Sequence, residues 1–374
     1  SPTDVQQATP GTPSATSTTA ATQAGGTASA TSTTTATASR TPSPTASATT
    51  APGVTPSPTA GSFPSGEWQN VNRSLQITRN TLTGVSGASN GLAVLVGANS
   101  TVLIWDGVEF TSAAVQPGRM LNGVVMLDDR NGYIVGDYLG QSSTLIRTRD
   151  GAQSWSSMAT ENLDNWSAVA MVRGTQGIRG WIVGKTNGSR QFFDGSTWAK
   201  QSASDLNNTS HKYADVAMLS DTSAVAVQNG GTGSRIYNWN GTAWSPGTQS
   251  GALNSVDVLP SGDGVAVGPT GTVWLRDPTG DWSRMDNKPS TSGRDLLGVK
   301  MLAKDRIWAV GERGGIYLWS GGPSWQTFAV TGVTKDLNSV WFSPDGRDGW
   351  AVGVEGTIAH YVVPSPTPTP TPRP

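Results

Sequence analysis

Between residues 82 and 362 the apolar positions fall in short runs and alternations, broken by Gly, Asp and Asn, with no 3.6-residue period. One unit recurs: an aliphatic strand beginning L-x-x-V, a strand like G-W-A-V-G, a G-x-I strand, and a turn ending in Trp. The first copy runs from Leu82 to Phe110 and the second from Leu121 to Trp155. The third, fourth and fifth span Trp166–Trp198, Tyr213–Trp244 and Leu253–Trp282. The sixth covers Leu296–Trp325, and the seventh, Leu337–Val362, stops before its Trp strand. The valine of the first strand falls at 85, 124, 169, 216, 256, 299 and 340, at intervals of 39, 45, 47, 40, 43 and 41 residues. A period near 43 with several short strands per unit predicts a β-propeller.

The ends of the array fix the number of blades. The seventh copy lacks a closing strand, and Gly66-Glu67-Trp68-Gln69-Asn70-Val71 is a closing strand without a blade. If Trp68 completes blade seven, the ring closes on its own two ends and no terminal sheet edge is left open. The fold expected is all-β: a seven-bladed propeller over 63–363, closed by an N-terminal strand and flanked by disordered tails.

Composition separates those tails. All but seven of residues 1–60 are Ser, Thr, Pro, Ala or Gly, while all 15 Trp lie between Trp68 and Trp350. Residues 1–62 and the Pro/Thr-rich 364–374 hold too little apolar surface to offset backbone entropy, so they read as disordered or O-glycosylated. A net charge of −1 argues against nucleic acid as a partner. No apolar run reaches the ~18–20 residues of a transmembrane helix. Cysteine is absent, which removes disulfides and thiolate chemistry.

Blade two carries Thr148-Arg149-Asp150-Gly151-Ala152-Gln153-Ser154-Trp155 after its G-Y-I-V-G strand. This matches the Asp-box pattern S/T-x-D-x-G/A-x-x-W apart from a one-place shift of the glycine. Blade three has Phe193-Asp194-Gly195-Ser196-Thr197-Trp198, and weaker versions end at Trp244, Trp282 and Trp325. Over residues 66–362 the unit resembles the Asp-box, BNR-type propellers, and most of all the photosystem II stability/assembly-factor-like family. That resemblance implies binding to a membrane protein complex, outside the cytoplasm. For Asp150, Gly151, Trp155, Asp194, Trp198, Trp244, Trp282, Trp325 and Trp68 the expected role is structural: carboxylates on turn amides, glycine at positive φ, tryptophan between blades.

Catalytic candidates are few. The sialidases among Asp-box propellers need three arginines and a Tyr/Glu pair; here the Arg-Ile-Pro element is missing and only five Glu are scattered over the blades. His211 and His360 lie in different copies with no metal-ligand spacing. The Asp128–Gly132 and Ser343–Asp348 loops read as turns rather than calcium sites. Gly230-Gly231-Thr232-Gly233 reads as a hairpin turn. Arg130, Arg147, Arg149, Arg173, Arg179, Lys185 and Arg190 cluster in blades two and three, interleaved with Asp137, Asp150 and Glu161, as in a solvated mixed face. No catalytic, cofactor or metal residue is expected.

The function expected from the sequence is therefore a non-catalytic, secreted, extracellular or cell-surface propeller. It would act as a protein-interaction scaffold or surface-layer or filament subunit, with protein partners or self-assembly at the surface and glycans on the tails. The alternatives are a carbohydrate-binding propeller, using Trp166, Trp239 and Trp319 as stacking platforms, and a sialidase-type glycoside hydrolase.

Overall fold

A computed structural model describes residues 63–201, 211–230 and 234–363. The expectations for both tails, and for positions 231–233 of the glycine turn, lie outside the described residues.

Among the described residues, twenty-eight strands form seven four-stranded antiparallel sheets. Blade one shows the plan: Leu82–Gly87, Ala93–Gly97, Thr101–Trp105 and Phe110–Ser112, from the axis outward. Blade seven takes three strands from the end of the domain, Leu337–Phe342, Asp348–Gly353 and Ile358–Val362, and its fourth, Glu67–Asn70, from the start. Trp68 stands opposite Tyr361 in that closing pair, so the ring closes as the repeat predicts. In such a meander the turns after strands one and three share one face of the disc, called lower here, and the other connections share the upper face.

Two sequence features impose this geometry. The final glycine of the second-strand motif sits where the chain enters each blade. A Cβ on Gly97, Gly136, Gly311 or Gly353 would collide with the carbonyl oxygen of Thr81, Met120, Asp295 or Asp336 respectively. Only glycine allows that approach. The second position of the first-strand motif supplies the other device in five blades, a link to the next blade. Thr83 Oγ1 donates to the Leu121 carbonyl, and Asn122 Nδ2 to that of Trp166 (2.8 Å). Ser167 Oγ bonds Tyr213 (2.8 Å), Asn254 Nδ2 bonds Leu296 (2.8 Å) and Asn338 Nδ2 bonds Leu82 (2.7 Å). Ala214 and Leu297 occupy the same position in blades four and six and have no polar group to offer.

The core is divided among the seams. Each of seven apolar clusters lies between adjacent blades. Trp181, Trp308 and Trp350, all from second strands, are at most 1% exposed. Burying such side chains at roughly 25 cal/mol per Å² makes the seams the main source of stability.

Candidate functional site

Two concavities stand out. The axial channel, of about 490 Å³, is lined by the first strands of all seven blades. Its ionisable groups are Asp215, Asp257 and Lys300; Lys300 Nζ lies 2.8 Å from Asp257 Oδ2. The second is a groove of about 340 Å³ on the lower face, over the seam between blades two and three.

Strand register builds the groove. Tyr133 and Arg147 are direct partners across neighbouring strands of blade two, and Arg149 follows two residues later. Arg179 comes from the Gly177–Gly184 strand of blade three, and Asp194 and Gly195 from the turn leaving Arg190–Phe193. Tyr133 and Phe193, each 1% exposed, form the floor. Burial pushes the Tyr133 phenol above its ordinary pKa and a hydrogen bond with Arg147 opposes that shift, so tyrosine stays neutral at the base of a cationic wall. Arg147 Nε is buried with no hydrogen-bond partner among the described residues. Arg179 Nη2 donates to Gln176 Oε1 at 3.3 Å. Gly195, at φ +102°, leaves it room: a Cβ there would lie 2.8 Å from Nη1.

The nearby acids leave these cations without a paired carboxylate among the described residues, although Asp194, itself in the groove lining, feels the Arg179 charge. Thr197 and Ser196 amides and the Ser196 hydroxyl, each at 2.8 Å, hold Asp194 down at about 2. The Ser154 hydroxyl and amide, then the Thr148 hydroxyl, do the same for Asp150, also to about 2. Asp128 pairs with Arg173 at 2.6 Å. Each carboxylate is committed to its own turn or another arginine, and among the described residues Arg147, Arg149 and Arg179 make no ion pair with a carboxylate. A 340 Å³ groove with three guanidinium groups suits one or two residues of an extended anionic chain rather than a folded surface.

The other residues singled out by sequence are spread around the ring. Gly151 has φ +73°, and Ala152, next to it, φ +68°. Trp155 packs on the blade one–two cluster, and Trp198 lies beneath the groove, 5.1 Å from Phe193 and 6.2 Å from Tyr133. Trp244 sits under the Arg190 guanidinium at 5.3 Å, while Trp282 and Trp325 belong to the four–five and five–six clusters. Trp68 meets Trp308, Phe342 and Tyr361 edge-on at 5.4–5.6 Å.

Of the expected stacking platforms Trp166, Trp239 and Trp319, burial rules out the first two, which are 0% and 4% exposed. Half-buried Trp319 spends its Nε1–H on the Gly322 carbonyl (2.7 Å). Asp128 and Asp345 accept from amides of their own loops, and no group of three metal-capable side chains occurs among the described residues. His211 bonds the Tyr237 hydroxyl (3.0 Å), whereas His360 stacks on Trp350 and bonds Asp348 (2.6 Å). Among the described residues no helix is long and apolar enough to cross a membrane.

No protein-family model matches the chain. The photosystem II stability/assembly factor HCF136 of the Arabidopsis thaliana chloroplast is 24% identical over 283 residues, 65% of this chain and 66% of that protein. The chain thus spans just under two thirds of that relative's length. Among solved structures, YCF48 bound to a D1 peptide superposes with a TM-score of 0.61 at 21% identity, covering 81% of this chain and 100% of that one. YCF48 from Cyanidioschyzon merolae gives 0.60 at 16% identity, over 79% and 98% of the two chains. The WD40 propeller of Doa1 gives 0.59 at 13%, over 82% and 98%; at these identities the structural likeness shows the fold alone.

The resemblance to photosystem II stability/assembly factors therefore holds. It overturns two expectations, the extracellular surface scaffold or filament subunit and the secreted location, because the relative matched by sequence is a chloroplast assembly factor. Neither the carbohydrate-binding alternative nor the sialidase-type one finds support among these proteins, none of which bears an enzyme's name. A protein partner agrees with the peptide held by YCF48, whereas surface assembly and glycans have no counterpart.

Proposed function

We propose that this chain, which resembles the photosystem II stability/assembly factors, is a non-catalytic assembly factor that holds an extended acidic segment of a client protein in the groove between blades two and three. The observation that carries this reading is the convergence of Arg147, Arg149 and Arg179 on one concavity, with the neighbouring acids engaged elsewhere. A rigid closed ring holds these guanidinium groups in place before a ligand arrives, which lowers the ordering cost of binding. That similar propellers include an assembly factor and a peptide complex supports the same reading.

The test is fluorescence anisotropy with a labelled ten-residue peptide rich in Asp and Glu, against a sequence-matched Asn/Gln peptide. The acidic peptide should bind at low salt and weaken tenfold or more between roughly 50 and 300 mM NaCl, as screened charge contacts must. Equal binding of both peptides, or binding indifferent to salt, would falsify the proposal.

A further inference from the structure

We propose that the seam between blades four and five is a pH-responsive clasp in the ring, loose while Asp215 is charged and tight once it is protonated. Five seams are joined by a neutral side chain at the second position of the first-strand motif; Ala214 cannot do this for blade four. The next residue takes over. Asp215 Oδ2 accepts from Ser255 Oγ (2.8 Å) and the Val256 amide (3.0 Å) of blade five, and Oδ1 from the Val216 amide (2.8 Å). Beside a backbone bond from the Leu253 N–H to the Gln228 carbonyl (2.7 Å), seam four–five is thus the one inner seam, among the described residues, whose side-chain link is a titratable group and no neutral one.

The surroundings decide which form the clasp prefers. The strands packed on Lys212–Ser220 are Trp166–Gly174 and Gly177–Gly184 of blade three, Ser223–Gly230 of its own blade, and Ser255–Val258 of blade five. Their charged groups are Arg173 and Arg179 near the lower face, and Asp257. Lys212, at the start of the Asp215 strand, is exposed. Arg173 is taken by Asp128, and Lys300 of blade six by Asp257. Asp215 therefore lines the axial channel, half-buried, with a second carboxylate as its charged neighbour and no ion-pair partner of its own among the described residues. Burial first, then Asp257, raises its pKa to about 6, against the amide and hydroxyl bonds that lower it. Protonation need not break the link, because the Ser255 hydroxyl can turn from donor to acceptor. What acid removes is a half-buried negative charge beside a second carboxylate.

The sign follows from the raised pKa. The folded state takes up the proton more readily than the unfolded one, so stability at this seam grows as pH falls through about 6 and levels off below the unfolded value of 3.8. Hydrogen exchange of peptides covering 213–217 and 253–258, corrected for intrinsic rates, should slow roughly tenfold or more from pH 8 to pH 5, relative to the two–three seam. Asp215→Asn should flatten that profile. Should that variant not fold, Asp257→Asn, which removes the facing charge, should move the wild-type midpoint to lower pH. Exchange at this seam that ignores pH, or a profile that neither substitution alters, overturns the proposal.

Discussion

Replacing Trp68 with alanine should cost about 3–5 kcal/mol of unfolding free energy, the largest loss expected from any single substitution in the chain. Trp68 is the closing element itself. It is 9% exposed, sits in the six–seven cluster, and packs edge-on against three aromatic rings supplied by blades six and seven. Truncation removes that burial and also weakens the strand pairing Trp68 with Tyr361, which joins the two ends of the domain. Trp68→Phe should lose far less, because the indole Nε1 has no hydrogen-bond partner among the described residues and phenylalanine removes that buried donor. Trp155→Ala, at a half-buried ring remote from the closure, should also cost less. Urea unfolding followed by tryptophan fluorescence measures all three. A loss below about 1 kcal/mol for Trp68→Ala would mean the ring does not depend on this strand.

The second large effect is on binding. Substituting Arg147, Arg149 and Arg179 together with glutamine should weaken an acidic peptide by 100-fold or more. Hydrogen bonds to charged groups contribute about 1.5–3 kcal/mol each, and losing even two reaches that factor. The triple lysine variant keeps the charge and loses the fork, so it should fall between, with salt dependence retained. Arg313→Gln, an exposed site in an upper-face turn, is the control and should bind as the parent does. Anisotropy titrations, with circular dichroism to confirm folding, decide it. Unchanged affinity in the triple glutamine variant would move the site elsewhere on the disc.

The fold was legible because each blade repeats the same requirements. A first strand needs an apolar first residue, a second strand needs glycine where the chain re-enters, and an unmatched Trp68 needs a sheet to complete. That first position also explains the error over Trp166: Leu82, Leu121, Leu253, Leu296 and Leu337 occupy it in other copies, so the tryptophan is core and the repeat already said so. The groove was harder to see. Arg147 and Arg179 belong to different blades, and meet only because the seam brings their strands together. Interleaved acids suggested a solvated mixed face, but Asp150 and Asp194 bond to their own turns rather than pairing with these arginines, a preference that spacing along the chain does not reveal. One signal was present: Arg147, near the end of its strand, and Arg149, in the bend just after it, are only two residues apart. The Ser/Thr/Pro tails read as disordered or O-glycosylated, and such a composition carries no information about compartment, which is where the surface reading went astray.

The most direct test of the client-binding account is a hydrogen-exchange footprint of the acidic peptide on the whole protein. Protection should rise in segments covering 131–149, 176–179 and 194–195, and leave the channel-lining strands of blades five to seven unchanged. Protection confined to those channel strands, or spread evenly over the ring, would contradict it.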